Sequence, residues 1–201
     1  MKLYYLKGAC SLATYISLIE SGRKFEAFEV DRATRKTSDG KDFASLSPKG
    51  YVPLLELDDG QVLTENVAVL SYVASLNPAA KLAPPPGTFG NFKVIEAIAF
   101  VNSELHKTVS GLFRPDTPEE WKKISRENAT KRLALVEKSL EQTPFLTGKD
   151  FSVADAYLFV VLSWWPRLSL DLTPFPRIRD FQERVAARPS VQAARKGEGL
   201  E

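Results

Sequence analysis

Apolar positions in the first 76 residues change their spacing several times. Leu3-Tyr4-Tyr5-Leu6 reads as a short β-strand near residues 2–6. Leu12, Tyr15, Ile16 and Ile19 then recur at helical spacing, which predicts a helix over about 11–21, ending before Gly22. A second strand is expected over 25–30, a polar irregular loop over 32–41, and a single helical turn over 43–46. Pro48-Lys49-Gly50 marks a turn. Residues 52–57 read as a strand, Asp58-Asp59-Gly60 as a hairpin turn, and Gln61-Val62-Leu63 as the partner strand. Thr64-Glu65-Asn66 opens a helix carrying Val67, Leu70, Val73 and Leu76, which stops near Asn77-Pro78. The expected order is β-α-β-(α)-β-β-α.

Residues 79–91 read as a linker, because Pro84-Pro85-Pro86-Gly87 is stiff and extended. Beyond it every periodicity is helical. Ile95, Ile98 and Leu105 mark one helix face, and Ala129, Leu133, Val136 and Leu140 another. Pro118 with Glu119 and Glu120 starts the second of these, since proline suits the first turn and acids suit the dipole. Ser152-Val153-Ala154-Asp155 has the form of a capping box. It precedes the most apolar run, 156–165, which at that length belongs in a core. Pro166 follows, and the last helix is expected near 177–188.

Composition narrows the function classes. The chain has 201 residues, 44% apolar and 26% charged, which suits a soluble protein of one domain or two small ones. A net charge of +2 is too mild for a nucleic-acid partner, and Lys122-Lys123 and Arg35-Lys36 read as solvated faces. One cysteine and one histidine exclude a disulfide framework and a Cys- or His-rich site, so no metal is expected. Such cysteine usage suits a reducing cytosol, and Met1-Lys2-Leu3-Tyr4 does not open like a signal peptide, so a cytoplasmic protein is expected. The apolar run is far shorter than the ~20 residues that span a bilayer, so no membrane partner is expected. There is no Gly-x-Gly-x-x-Gly fingerprint and no Walker-type loop.

The candidate chemistry lies in Gly8-Ala9-Cys10-Ser11-Leu12. The only cysteine stands where a strand turns into a helix. Free N–H groups and the positive dipole end at such a place favour a thiolate and lower a cysteine pKa from ~8.5 toward ~3.5–7.5. The competing reading is a small buried hydrophobe.

Several motifs together carry a family resemblance. They are the opening Met1-Lys2-Leu3-Tyr4-Tyr5, the Gly8–Ala13 stretch, Ser47-Pro48-Lys49-Gly50, Val52-Pro53, and Leu63-Thr64-Glu65. Glu104-Leu105-His106-Lys107, Leu112-Phe113-Arg114-Pro115 and Ser152-Val153-Ala154-Asp155-Ala156-Tyr157 continue them. With the β-α-β and β-β-α order, the chain resembles the cytosolic glutathione transferases, and among them the bacterial beta class, whose members carry Cys at this position. The resemblance implies an α/β plus all-α architecture. A thioredoxin-like glutathione-binding domain would cover 1–80, a linker 81–90, and an all-helical domain forming the electrophile site 91–201.

The resemblance also assigns roles. Pro53 would be cis, aiming the Val52 backbone at an extended peptide; from the residues alone it is an ordinary trans proline starting a strand. Glu65 would hold the glutathione ammonium and Asn66 its γ-glutamyl carboxylate; alone, they complement the dipole and cap a helix. His106 would lie opposite Cys10 and donate to the glutathione sulfur, with Ser11 as a further donor; a lone helix histidine is otherwise structural or exposed. Arg35 and Lys107 would add positive charge, or are simply solvated. Ser103 and Glu104 complete the glutathione-binding set, with Glu104 near the glutathione of the other subunit of a homodimer. Ala99 departs from the Asn frequent in the family, and Asn66 from its Ser or Gly. Asn102, one turn beyond Ala99, is polar, and Phe113, Trp164 and Trp165 would wall the electrophile slot. The function implied is conjugation of glutathione to apolar electrophiles, with thiol–disulfide or peroxide reduction through Cys10. The alternative is a non-catalytic protein that binds glutathione or apolar ligands on the same fold.

Overall fold

The computed structural model describes residues 1–200; Glu201, the last residue of the expected helical domain, lies outside the described residues. The first half holds β1 (Lys2–Tyr5), α1 (Ser11–Glu20), β2 (Glu26–Glu29), α2 (Phe43–Leu46), β3 (Leu54–Glu56), β4 (Val62–Thr64) and α3 (Asn66–Ser75). Its sheet has the order β2-β1-β3-β4. β2 runs parallel to β1, with Leu3 opposite Ala27. β3 runs antiparallel to β1, with Leu3 opposite Leu55, and β4 antiparallel to β3, with Leu55 opposite Leu63.

The alternation in Leu3-Tyr4-Tyr5 divides the two faces. Leu3, Tyr5 and Leu55 pack on Leu18 of α1 and on Val69 and Val73 of α3. Tyr4 and Leu54 point the other way, onto Phe43 of α2 and Val30. The expected strand over 52–57 is shorter, because Pro53 has no N–H to give the ladder and β3 begins at Leu54. Thr64 belongs to β4 rather than opening the helix, which starts directly at Asn66. The loop over 32–41 is less irregular than expected, being pinned by bridges Val30–Thr37 and Lys36–Asp42.

The second half is helical: α4 (Phe89–Phe100), a π-helical turn (Val101–His106), α5 (Lys107–Ser110), α6 (Glu119–Ser139), α7 (Val153–Leu162), α8 (Pro176–Ala186) and α9 (Pro189–Gly197). The helix expected to be last is thus followed by another, which starts with Pro189 at its first position. On the α4 side the core stripe is Val94, Ile98, Val101, Leu105 and Val109; Ile95 lies on its flank, half-buried. No helix among the described residues is long and apolar enough to cross a membrane.

Helix α7 is the centre of this half, with all ten residues buried. An all-apolar helix has no solvated side to hold its ends, so its first turn needs strong capping. Asp155 supplies it. Its carboxylate accepts from the Ser152 N–H at 2.8 Å, the Ser152 hydroxyl at 2.7 Å and the Leu146 N–H at 2.8 Å. The same residue therefore starts α7 and fastens the preceding loop to it. α1 packs against α7 through Leu12, Ala13 and Ile16, so both halves share one core. Arg188 and Ser190 donate to Glu20 at the far end of α1, and the Val153 N–H donates to the Leu82 carbonyl.

Asp155→Ala leaves three donors without their acceptor, the two of Ser152 buried and that of Leu146 partly so. The expected loss is about 3 kcal/mol of unfolding free energy, read from urea denaturation with the denaturant slope unchanged. A loss below about 0.5 kcal/mol, the scale of ordinary surface substitutions, would show that the cap does not hold α7.

Candidate active site

The loop between β1 and α1 turns at Gly8, whose φ of +67° lies in the left-handed region. Both of its backbone groups are held from the helical half. Its N–H donates to Glu198 Oε2 at 2.8 Å, and its carbonyl accepts from the Trp164 indole at 3.0 Å. This clamp fixes the approach to Cys10, the residue that precedes the first turn of α1.

Three elements of the first half meet at Cys10. Its thiol donates to the Val52 carbonyl at 3.4 Å, and the Val52–Pro53 bond is cis, as expected. Asn66, at the start of α3, donates from Nδ2 to the Cys10 carbonyl at 3.2 Å and accepts from the Thr14 hydroxyl at 3.2 Å. From the other half, Tyr157 of α7 faces Cys10 and Asn66. Its hydroxyl lies 2.6 Å from His106 Nδ1 and donates to Asn102 Oδ1 at 3.1 Å. The His106 ring sits edge-on to Trp164, with centroids 4.9 Å apart, and Phe113 stands against Trp164 at 5.6 Å.

The electrostatics differ from the expectation. Burial pushes the Cys10 thiol up to about 12; the Cys10 and Ser11 backbone N–H groups and Asn66 pull it down, but less strongly. The helix start that would populate a thiolate near neutral pH is present, and desolvation outweighs it. Burial, with Lys107 adding to it, lowers His106 to about 4, so the ring is neutral at pH 7. Glu198 is pushed up to about 7, by burial first, against the pull of the Gly8 N–H. Its Oε1 is the one buried side-chain N or O atom without a hydrogen-bond partner among the described residues.

The remaining candidates are spread around this centre. The Ser11 hydroxyl is buried and taken up by the backbone of Leu6. Glu65 has a φ of +72°, a costly conformation for a residue other than glycine, and its exposed carboxylate pairs with Lys49 at 2.9 Å. Arg35 lies over the Phe43 ring and donates to the Gly50 carbonyl, which ties it to the loop leading to Val52. Ser103 bonds back to its own helix at Ala99, which is itself exposed. Glu104 is turned to α6 and pairs with Arg132 at 2.6 Å. Ser103 and Lys107 line an open cavity of about 470 Å³ with Arg114 and Trp121, away from Cys10. Trp165 is fully buried in the core, so of the expected wall Trp164 stands beside His106 and Phe113 stands behind it against Trp164. The sequence reading missed Tyr157, Asn102 and Glu198 as site residues. A single hydroxyl inside an all-apolar helix was the one signal for Tyr157.

Residues 9–76 match the family model described as "Glutathione S-transferase, N-terminal domain", and residues 100–189 match "Glutathione S-transferase, C-terminal domain". Glutathione S-transferase GstA of Escherichia coli O157:H7 is 44% identical over 200 residues, covering 100% of both chains. Glutathione S-transferase GST-4.5 of Xanthomonas campestris pv. campestris is 38% identical over 207 residues, again covering 100% of both. Among solved structures, a ternary complex of BphK, a bacterial GST, matches with a TM-score of 0.97 and 47% identity, covering 99% of this chain and 100% of that one. A sphingomonad glutathione S-transferase complexed with glutathione matches with a TM-score of 0.96 and 43% identity, covering 100% of both. A mixed four-stranded sheet with Cys10 at its first helix, an all-helical second half, and relatives matched along their whole length agree: the chain belongs to the glutathione S-transferase family and is a glutathione transferase.

Proposed function

We propose that the chain joins the sulfur of glutathione to small apolar electrophiles, and that Cys10 gives it a second, thiol–disulfide reaction. The observation that carries this reading is the convergence of Cys10, the Val52 carbonyl, the start of α3 and His106 around Tyr157. The intact set of Cys10, Glu65 and His106, with transferases as relatives, favours catalysis over simple storage of glutathione or apolar ligands.

In this reading residues 1–80 hold glutathione. The Val52 backbone pairs with it as a neighbouring strand would. Glu65 takes the ammonium group. The γ-glutamyl carboxylate goes to the N–H groups at the start of α3, because the Asn66 side chain is already engaged by Thr14 and Cys10. Arg35 meets the glycine carboxylate. Residues 91–201, joined through 81–90, supply the apolar slot beside Phe113 and Trp164. There the glutathione thiolate forms a C–S bond and the leaving group departs with its electron pair.

The second reaction starts when Cys10 attacks a glutathione disulfide. The thiolate of the partner leaves and a Cys10–glutathione mixed disulfide forms; a second glutathione then releases Cys10 and leaves as oxidised glutathione. With one cysteine the chain has no internal dithiol cycle. A peroxide would enter one step earlier: Cys10 attacks one oxygen, the O–O bond breaks with loss of water or an alcohol, and the Cys10 sulfenic acid condenses with glutathione to the same mixed disulfide, releasing water. The setting proposed is the cytoplasm, and the assembly a homodimer. Phe89 and Phe92 expose apolar surface on α4, 80% and 57% accessible, where α3 of a second subunit would face it. Glu104 would then approach the glutathione of that subunit.

Calorimetry is expected to give glutathione binding with a micromolar to millimolar constant, ~4–8 kcal/mol. Glu65→Ala is expected to weaken it at least tenfold, and no heat with the unaltered chain would sink the cradle. Cys10→Ala is expected to lose reduction of a mixed disulfide while keeping measurable conjugation of a chloronitroarene. Retained disulfide reduction in that variant would remove Cys10 from the covalent role. Because Cys10 is the only cysteine, iodoacetamide reports on it alone. With its pKa pushed up to about 12, the labelling rate without glutathione is expected to rise tenfold per pH unit through pH 10. A plateau below pH 8 would mean a thiolate already formed near neutrality.

A further inference from the structure

Tyr157 carries the only hydroxyl on α7 and is fully buried. Asn102 and His106, which touch its hydroxyl at 3.1 and 2.6 Å, both come from the π-helical turn Val101–His106, while Asn66 lies on the other side of Tyr157. Turns of this kind are rare and cluster at functional sites. A tyrosine has one proton to give. Asn102 Oδ1 has none, so the Tyr157 proton is committed to it. The 2.6 Å contact with His106 must then be made by a proton on Nδ1. A neutral imidazole has a single N–H, so Nε2 is left bare. Burial keeps the ring neutral at pH 7. Nε2 has no hydrogen-bond partner among the described residues and is not among the sealed, unpartnered atoms.

We propose that Tyr157 and Asn102 are positioning residues that lock His106 as its Nδ1–H tautomer, so that His106 meets the glutathione sulfur with an acceptor nitrogen and takes its proton. This reverses the donor role that the family resemblance implies for His106. The S–H bond breaks and an Nε2–H bond forms, leaving a thiolate beside an imidazolium with both nitrogens protonated. The thiolate forms the C–S bond, the leaving group departs with its electron pair, and the imidazolium returns the Nε2 proton to water. That the sulfur is that of glutathione rests on the transferase reading; the tautomer does not.

His106 is the only histidine, so labelling the whole chain with ¹⁵N-histidine gives the signals of one ring. In glutathione-free protein at pH 8, Nδ1 is expected at a protonated, pyrrole-type shift and Nε2 at a bare, pyridine-type shift. Asn102→Asp offers only acceptors and is expected to keep this pattern. Asn102→Leu releases the Tyr157 hydroxyl to donate to Nδ1 and is expected to invert it. Tyr157→Phe removes the lock and is expected to give a mixture, and the half-buried Asn102 variants carry the test where Tyr157→Phe fails to fold. For conjugation, Asn102→Leu is expected to lower kcat about tenfold, with KM for glutathione within twofold, and Asn102→Asp to retain more of kcat than Asn102→Leu does. An Nε2–H ring in the parent chain, or an unchanged ring in Asn102→Leu, overturns the lock. An inverted ring with unchanged kcat overturns the proton-taking role. The expected ring shifts in a parent chain without glutathione turnover support the lock and count against the transferase reading instead.

Discussion

Helix α1 is gripped on two sides. Leu18 faces the sheet cluster, while Leu12, Ala13 and Ile16 face α7, and only Tyr15 within the span from Ser11 to Leu18 is less than fully buried. Burial of Leu12, Ile16 and Leu18 contributes on the order of 1.5–3 kcal/mol each. Because interiors are close-packed, α1 cannot shift without disturbing both halves. Cys10 therefore inherits a fixed position from packing that has no part in its chemistry. The polar clamp on Gly8 completes the constraint. Glu198 and Trp164 lie 190 and 156 positions away in sequence, and they hold the two backbone groups two residues before the cysteine. The clamp has a cost: a buried carboxylate with one oxygen unpartnered. A hydrogen bond to a charged acceptor contributes about 1.5–3 kcal/mol, comparable with the penalty for leaving a polar atom unsatisfied. Its effect is thus on geometry more than on net stability.

This division explains what could be read from the sequence. Elements whose apolar residues keep one period were legible: the sheet with its alternating faces, α6 with Ala129, Leu133, Val136 and Leu140, and α7 with its capping box. The position of Cys10 at a helix start was legible for the same reason, as were the motifs that place Glu65 and Asn66 at the next one. The neutral state of the thiol was not. Helix-start donors are local and visible in a one-dimensional reading, whereas the burial that raises the thiol comes from packing against the shared core, with the Glu198 charge adding to it, and the chain reaches both much later. Pairings between distant helices were invisible on the same ground: nothing in the spacing of Asn102, His106 and Tyr157 announces that the Tyr157 hydroxyl meets the other two. The π-helical turn that brings Asn102 and His106 to it departs from the 3.6-residue period on which such readings rest.

The two central groups are held neutral by the same cause, and this bears on how they react. Charging either one alone is unfavourable. Passing a proton from a thiol of ordinary pKa, ~8.5, to an imidazole at about 4 is uphill by about 6 kcal/mol. The products, however, are a thiolate and an imidazolium side by side. At a separation of ~4 Å in a partly screened site their attraction is about 4 kcal/mol. A backbone N–H donor at the start of α1 adds about 1.5–3 kcal/mol once the sulfur is charged, and little while it is neutral. The sum brings the ion pair close to the neutral pair. Burial that suppresses a lone imidazolium therefore permits one beside the thiolate of a sulfur of ordinary pKa, and only when that sulfur stands opposite Nε2. A site built this way stays inert until its co-substrate arrives, and it depends on which nitrogen faces the sulfur. That choice is made by Tyr157, on a helix whose other nine residues serve only the core and its cap.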